Sequence, residues 1–164
     1  DGIINRISAL NPDTRIIFTV SPIRHWKDGA HGNQISKAIL HLSIDRLQER
    51  HPERVSYFPA YEILLDELRD YRFFSDDMMH PSPMAINYIW ERFSDTFFRE
   101  DTRKIIAEWE QLNRSLKHAP LHGQTDTLRQ FQTQTLQRLI LFRQKYPTVD
   151  CSREIEELKE KIKQ

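Results

Sequence analysis

A single cysteine, Cys151, stands in 164 residues, which excludes an internal disulfide framework and a zinc site built on several thiolates. Four glycines leave no glycine-rich phosphate cradle. Neither sign of charge is in excess: 24 Lys and Arg offset 24 Asp and Glu, so no global basic field recruits nucleic acid or an anionic membrane. No apolar run approaches the roughly 20 residues that cross a bilayer. The start, Asp1-Gly2-Ile3-Ile4-Asn5-Arg6, has neither the basic head nor the apolar stretch of a signal peptide. The expectation is a soluble chain, with the cytoplasm favoured, no nucleic-acid partner and no membrane span. Lacking an initiating Met, Asp1 reads as a processed or artificial start.

What is present suffices for a core, with 38% hydrophobic and 10% aromatic residues. Ile3, Ile4, Ile7 and Leu10 read as the tail of a helix closed by Asn11-Pro12. The run Arg15 to Ser21, β-branched and aromatic and stopped by Pro22, reads as a strand buried on both faces of a parallel sheet. A polar loop is expected from His25 to Asn33. A helix follows over Gln34 to Glu49, with Ile35, Ala38, Ile39 and Leu42 at helical spacing, and then a second strand over Val55 to Phe58. This strand-helix-strand order predicts two parallel strands joined by a right-handed crossover. Two strands do not complete such a sheet, so the chain reads as part of a fold.

Pro59 to Leu68 reads as a short helix. Ser82-Pro83 is a strong helix start, with Ile86, Ile89, Trp90, Phe93 and Phe97 behind it as an expected core stripe. Beyond Glu100 three further helices are expected from the stripes Ile105, Trp109, Leu112, Leu116, then Leu128, Phe131, Leu139, Phe142, then Ile155, Leu158, Ile162. Breaks fall at Pro120 to Gly123 and at Pro147, and Glu157 with Lys161 forms an expected surface pair on the last helix. The domain reading is 1–99 and a helical extension over 100–164.

The chemistry concentrates in Asp76-Asp77-Met78-Met79-His80-Pro81-Ser82-Pro83. An Asp three residues before a His, in a loop ahead of a capped helix, can accept a hydrogen bond from one imidazole nitrogen. That leaves the other nitrogen to act as a base towards a nucleophile. Asp77 orients and His80 moves the proton, with Asp76 as an alternative partner; a structural loop pair is the plainer alternative. Arg24 and His25 follow the carboxyl end of the first strand, where open α/β sheets place ligands. They are candidate substrate-binding residues, or else ion-paired within their own loop. Trp26 lines a pocket or packs, and Met78 and Met79 pack. Tyr57 to Tyr61 turns a strand into a helix. His31, His41 and His51 lie ten apart and His118 with His122 is a lone pair, so neither a metal nor another cofactor is expected. Cys151, at a helix start where a thiol pKa can fall, has no catalytic role in this reading.

Three stretches resemble the GSCFA family, which belongs to or sits beside the SGNH/GDSL-type serine hydrolases. They are Thr19-Val20-Ser21-Pro22-Ile23-Arg24-His25-Trp26-Lys27-Asp28-Gly29, the run from Tyr57-Phe58-Pro59-Ala60-Tyr61 to Asp70-Tyr71-Arg72, and Asp77-x-x-His80-Pro81-Ser82-Pro83. The resemblance covers roughly residues 1 to 98. It implies an α/β class with a partial three-layer α/β/α, flavodoxin-like (SGNH-type) parallel sheet followed by a helical carboxy-terminal extension. The implied activity is that of an esterase on a small-molecule or carbohydrate ester, with Asp77 and His80 in the last block of the catalytic site. The Gly-Ser-Cys-Phe-Ala motif and the nucleophile and oxyanion blocks are absent, and Ser21, Ser36 and Ser82 are in no comparable setting. The chain is thus expected to be the carboxy-terminal half of a longer enzyme, inactive alone and prone to form a homo-oligomer. The alternative is a non-catalytic interaction or ligand-binding module that uses the helical tail.

Overall fold

The computed structural model describes residues 1–117 and 126–163, so the expected break at Pro120 to Gly123 and the pair His118 and His122 lie outside the described residues. Helix dominates, and the described residues hold one small two-stranded parallel sheet. The chain divides into two units, Asp1–Phe97 and a second from Phe98 onward.

The first unit opens with α1 (Gly2–Leu10), capped at its end by Asn11, whose backbone N–H donates to the Ile7 carbonyl. Strand β1 (Ile16–Phe18) pairs in parallel with β2 (Val55–Tyr57), Ile16 facing Val55 and Phe18 facing Tyr57. Both strands are shorter than their apolar runs. The Phe58 N–H still donates to the Phe18 carbonyl at 2.8 Å, but Pro59 has no N–H to extend the ladder. Val20 leaves the strand and is buried nonetheless.

Helix α2 (Gly29–Arg50) begins five residues before the sequence reading places it, and the expected loop over His25 to Asn33 shrinks to a 3-10 turn at Trp26–Asp28. Glycine-rich polar composition argues against a helix there, but local contacts outweigh it. The buried Asn33 Oδ1 accepts the His25 N–H at 2.9 Å. A Cβ on Gly32 would lie 3.0 Å from the Asp28 Cβ, a closeness glycine tolerates.

The face α2 turns inward is a second departure. Asn33 and Ile44 are buried and Lys37, His41 and Gln48 partly so, whereas Ile35, Ile39 and Leu42 are exposed. Polar anchors set this orientation: Lys37 Nζ donates to the Ser21 carbonyl at 2.5 Å, and His41 meets Tyr57 and Glu62.

After β2, α3 (Ala60–Glu62) runs into a wide π-helical turn over Ile63–Glu67, closed by the Leu68 N–H on the Ile63 carbonyl at 2.9 Å. This turn delivers Ile63, Leu64 and Leu68 to the core. There they meet Phe58, Ala60 and Ala85, with Phe73, Phe74, Tyr88, Ile89, Phe93 and Phe97 packed around them. Phe58 meets Phe93 and Phe97 edge-on, at 5.1 Å and 6.0 Å between centroids, a favoured geometry for ring quadrupoles, while Phe93 and Phe97 are tilted at 43°.

Helix α4 (Pro83–Phe97) starts where Ser82-Pro83 predicts, with Ser82 Oγ accepting the Ala85 N–H at 3.3 Å. Its core stripe needs correcting: Ala85, Ile89, Phe93 and Phe97 face inward, while Ile86 and Trp90, one position further round the helix, are exposed. Trp90 covers the rim of the core by stacking on Phe93 at 5.9 Å and 17°.

The second unit contains α5 (Glu100–Lys117), α6 (Asp126–Lys145) and α7 (Ser152–Lys163), with Pro147 between the last two. Leu112, Leu139, Phe142, Cys151 and Ile155 form its core, joined by Ile105, Trp109, Leu116, Leu136, Ile140, Tyr146 and Val149. Glu108 accepts both Lys145 Nζ at 2.6 Å and the Tyr146 hydroxyl at 2.9 Å, tying α5 to the end of α6. On α7, Glu157 pairs with Arg153 at 3.7 Å. Cys151 is wholly buried, and burial pushes its thiol up rather than down. Desolvation outweighs the helix start.

Candidate functional site

Asp77 and His80 sit in a loop tied at both ends. Phe74 and Pro81 form an antiparallel bridge. The Ser75 N–H donates to the His80 carbonyl at 2.8 Å, and the Ser82 N–H to the Phe73 carbonyl at 2.8 Å. These bonds anchor the ends of residues 75–80 to the backbone of Phe73 and Phe74, whose side chains pack against the first core. The capped start of α4 follows at once, so the loop has a fixed base on both sides.

Inside the loop, the Asp77 carboxylate collects three donors. Oδ1 accepts the Met79 and His80 N–H groups, each at 2.9 Å, and Oδ2 lies 2.5 Å from His80 Nδ1. Wrapping the backbone this tightly puts Met78 at φ 58°, in the left-handed region that costs an L residue about 1–2 kcal/mol. The strain falls on the residue between the two members of the pair.

The His80 backbone N–H, then its ring, then the Met79 N–H pull the Asp77 carboxyl down to about 2. A depressed carboxyl contributes stability above its ordinary value near ~3.9 and loses it as pH falls. The contact is therefore intact at neutral pH and is lost only as acid approaches about 2. An ionised carboxylate can only accept, so Nδ1 must carry the proton. Whenever the ring is neutral, Nε2 is then the bare, basic nitrogen. Both side chains are about half exposed, which leaves Nε2 accessible. Among the described residues, no serine, threonine or cysteine side chain bonds to it.

Asp77, rather than Asp76, makes the contact. Ser82 is spent on capping α4, and Ser21 Oγ accepts the Ile23 N–H at 3.3 Å. The Arg24 guanidinium lies 5.8 Å from the centroid of the Phe74 ring, a cation–π distance. Because Phe74 bridges to Pro81, the segment after β1 lies against the base of the Asp77–His80 loop. His25 turns to Asp28, with 3.4 Å between Nδ1 and Oδ2. Trp26 is half exposed.

One polar cluster has no counterpart in the sequence reading. The Tyr57 hydroxyl donates to the Glu62 carboxylate, 2.8 Å from Oε2, while His41 Nδ1 lies 3.4 Å from that hydroxyl and 3.5 Å from Glu62 Oε1. Burial and the neighbouring carboxylate keep the Tyr57 hydroxyl protonated well past its usual range. The cluster borders a groove of about 300 Å³ with Leu42, Ile44, Asp45 and Gln48. It ties α2 to the end of β2. Tyr57 and Glu62 lie five residues apart across Pro59, and nothing in the sequence points to His41.

Among the described residues, no group of three or more His, Cys, Asp or Glu is arranged to hold a metal ion, and no helix is long and apolar enough to cross a membrane. His51 pairs with Asp1 at 3.3 Å, away from His41 and its partners.

The model of the GSCFA family matches residues 1–93, and that of the GSCFA domain protein, C-terminal domain, matches residues 109–164. No curated protein and no solved structure matches the chain.

Proposed function

Because this chain belongs to the GSCFA family, we propose that it supplies the proton-transfer half of an ester-hydrolysing site, with Asp77 orienting and His80 acting as general base. The observation that carries the reading is the 2.5 Å contact between His80 Nδ1 and an Asp77 carboxylate held by two further N–H donors. The contact sets the tautomer, and the tied loop sets the direction of Nε2.

In this mechanism His80 Nε2 takes the proton of a nucleophilic hydroxyl as that oxygen attacks the ester carbonyl. It then returns the proton to the departing alcohol, and the same two transfers with water release the acid. The nucleophile and the oxyanion donors are not among the groups the described residues assemble around His80, so they come from outside this set. The three-layer SGNH-type sheet belongs to the same reading, with β1 and β2 as neighbouring strands of it. Arg24, held over Phe74 beside the loop, is the residue we assign to the carbonyl-bearing or anionic part of the substrate. Hydrolysis of p-nitrophenyl acetate by the intact parent protein, its His80→Ala variant and this chain alone tests the reading: activity in the intact wild type only supports it.

A separate observation favours association. Ile35, Ile39 and Leu42, at steps of four and three, are all half exposed or more on α2, and an apolar stripe of this kind commonly marks a contact surface. The chain is expected to elute above its monomer mass of 19.7 kDa in size exclusion with light scattering, and Ile39→Glu to return it to monomer. A monomer in both cases contradicts this.

A further inference from the structure

A serine that the mechanism leaves unused sits at the neck of the Asp77–His80 loop. All three polar groups of Ser75 are spent on the loop itself. Its N–H donates to the His80 carbonyl at 2.8 Å, and its carbonyl accepts the Met78 N–H at 2.9 Å. Its hydroxyl donates to the Pro81 carbonyl at 3.3 Å, in a partly buried position. Ser75 thus holds Met78, the residue with the left-handed backbone, and the carbonyls of both His80 and Pro81.

Why the chain after His80 needs such a hold follows from its sequence. The His80 N–H is taken by Asp77 Oδ1, and Pro81 has no N–H to give. The next donor is the Ser82 N–H, which goes to the Phe73 carbonyl. Between the His80 and Ser82 N–H groups the backbone can therefore be fixed only through its carbonyls, and Ser75 takes both. The bond from the Ser75 N–H survives any replacement except proline; the bond from Oγ depends on the side chain. That bond acts on the ring through the backbone. Asp77 Oδ2 meets Nδ1 at 2.5 Å, a contact that holds only while the His80 backbone stays in place. A group that moves a proton has to be held to within about 0.5 Å, and a misplacement of about 1 Å can cost roughly 10²-fold in rate.

We propose that Ser75 is a positioning residue of the site: its hydroxyl clamps the chain after His80, so that the imidazole stays on Asp77 with Nε2 bare. The inference rests on the esterase reading only for the use made of Nε2. The clamp is a property of this chain and is read on the ring without any substrate.

The test is long-range ¹H–¹⁵N correlation of the His80 imidazole in this chain, at a pH where the ring is neutral, for the wild type, Ser75→Ala, Ser75→Cys and Ser75→Thr. The ratio of Nδ1-protonated to Nε2-protonated ring is expected to fall about three- to tenfold in Ser75→Ala. It should fall similarly in Ser75→Cys, whose S–H is a weak donor, and recover in Ser75→Thr, which keeps the hydroxyl. Should Ser75→Ala unfold, Ser75→Cys decides. In an intact parent that turns over p-nitrophenyl acetate, Ser75→Ala should lower kcat by the same factor with KM unchanged; a change confined to KM overturns the positioning role. A brace that serves only the fold would lower the urea midpoint and leave the ratio alone. An unchanged ratio in Ser75→Ala and Ser75→Cys, or an equal fall in Ser75→Thr, overturns the proposal even if the parent hydrolyses esters. A fall that Ser75→Thr reverses upholds it even if no ester is cleaved.

Discussion

Replacing His80 by Ala in the intact parent protein is expected to lower turnover of p-nitrophenyl acetate by roughly 10²–10⁴-fold, the range for removing a positioned general base. In the proposed mechanism the imidazole does two jobs in each half-reaction, and no other residue of the described loop offers a side chain for either. Met79 contributes only a backbone N–H to Asp77, and the Ser82 hydroxyl is bonded to the helix start. KM should change little, because the ring moves protons rather than holding the substrate. Since His80 is about half exposed and its loop is closed by backbone bonds at Phe74, Ser75 and Ser82, the variant should keep its fold. A His80→Ala enzyme with wild-type turnover would remove His80 from the mechanism.

The largest stability effect is expected at Leu64. Its side chain is fully buried in the wide turn after α3, among Phe58, Ile63, Leu68 and Ala85 and the aromatic rings of α4. Leu64→Ala is expected to cost about 2–5 kcal/mol, measured by urea unfolding. The upper part of that range is expected because Phe58 is held edge-on against both Phe93 and Phe97 and would give up those contacts to fill the void. Against a total stability of roughly 5–15 kcal/mol, such a loss would also loosen Phe73 and Phe74, whose backbones anchor the Asp77–His80 loop. A cost below about 1 kcal/mol would mean that the turn collapses freely and that the core does not brace the loop.

How much of this was readable in the sequence depended on whether the cause was local. The Asp77–His80 contact and the Ser82-Pro83 helix start are made within three residues; Asp-x-x-His is a weak signal by itself and is read from the His80-Pro81-Ser82-Pro83 context around it. The helices beyond Glu100 follow from their stripes, because each stripe faces neighbours of the same kind within its own unit. Periodicity shows that a helix has an apolar side but not where its neighbour lies, and α2 demonstrates the difference. Lys37, His41 and Asn33, drawn in by the Ser21 carbonyl, Tyr57 and the His25 N–H, turn Ile35, Ile39 and Leu42 outward. The same limit explains Ile86 and Trp90, placed one position off the buried side of α4. The cluster of His41, Tyr57 and Glu62 joins residues 16 and 21 apart in sequence, for which no local rule exists. At Cys151 the helix start is local, but the core that buries the thiol and pushes it up is not.

Asp77 fixes the His80 ring with its proton on Nδ1 whenever the ring is neutral. Long-range ¹H–¹⁵N correlation of the imidazole, on this chain and at a pH where the ring is neutral, reads this directly. The account predicts Nδ1 protonated and Nε2 bare, with that assignment lost in Asp77→Ala. A neutral ring protonated on Nε2 in the wild type would contradict it, because no basic nitrogen would then face the site.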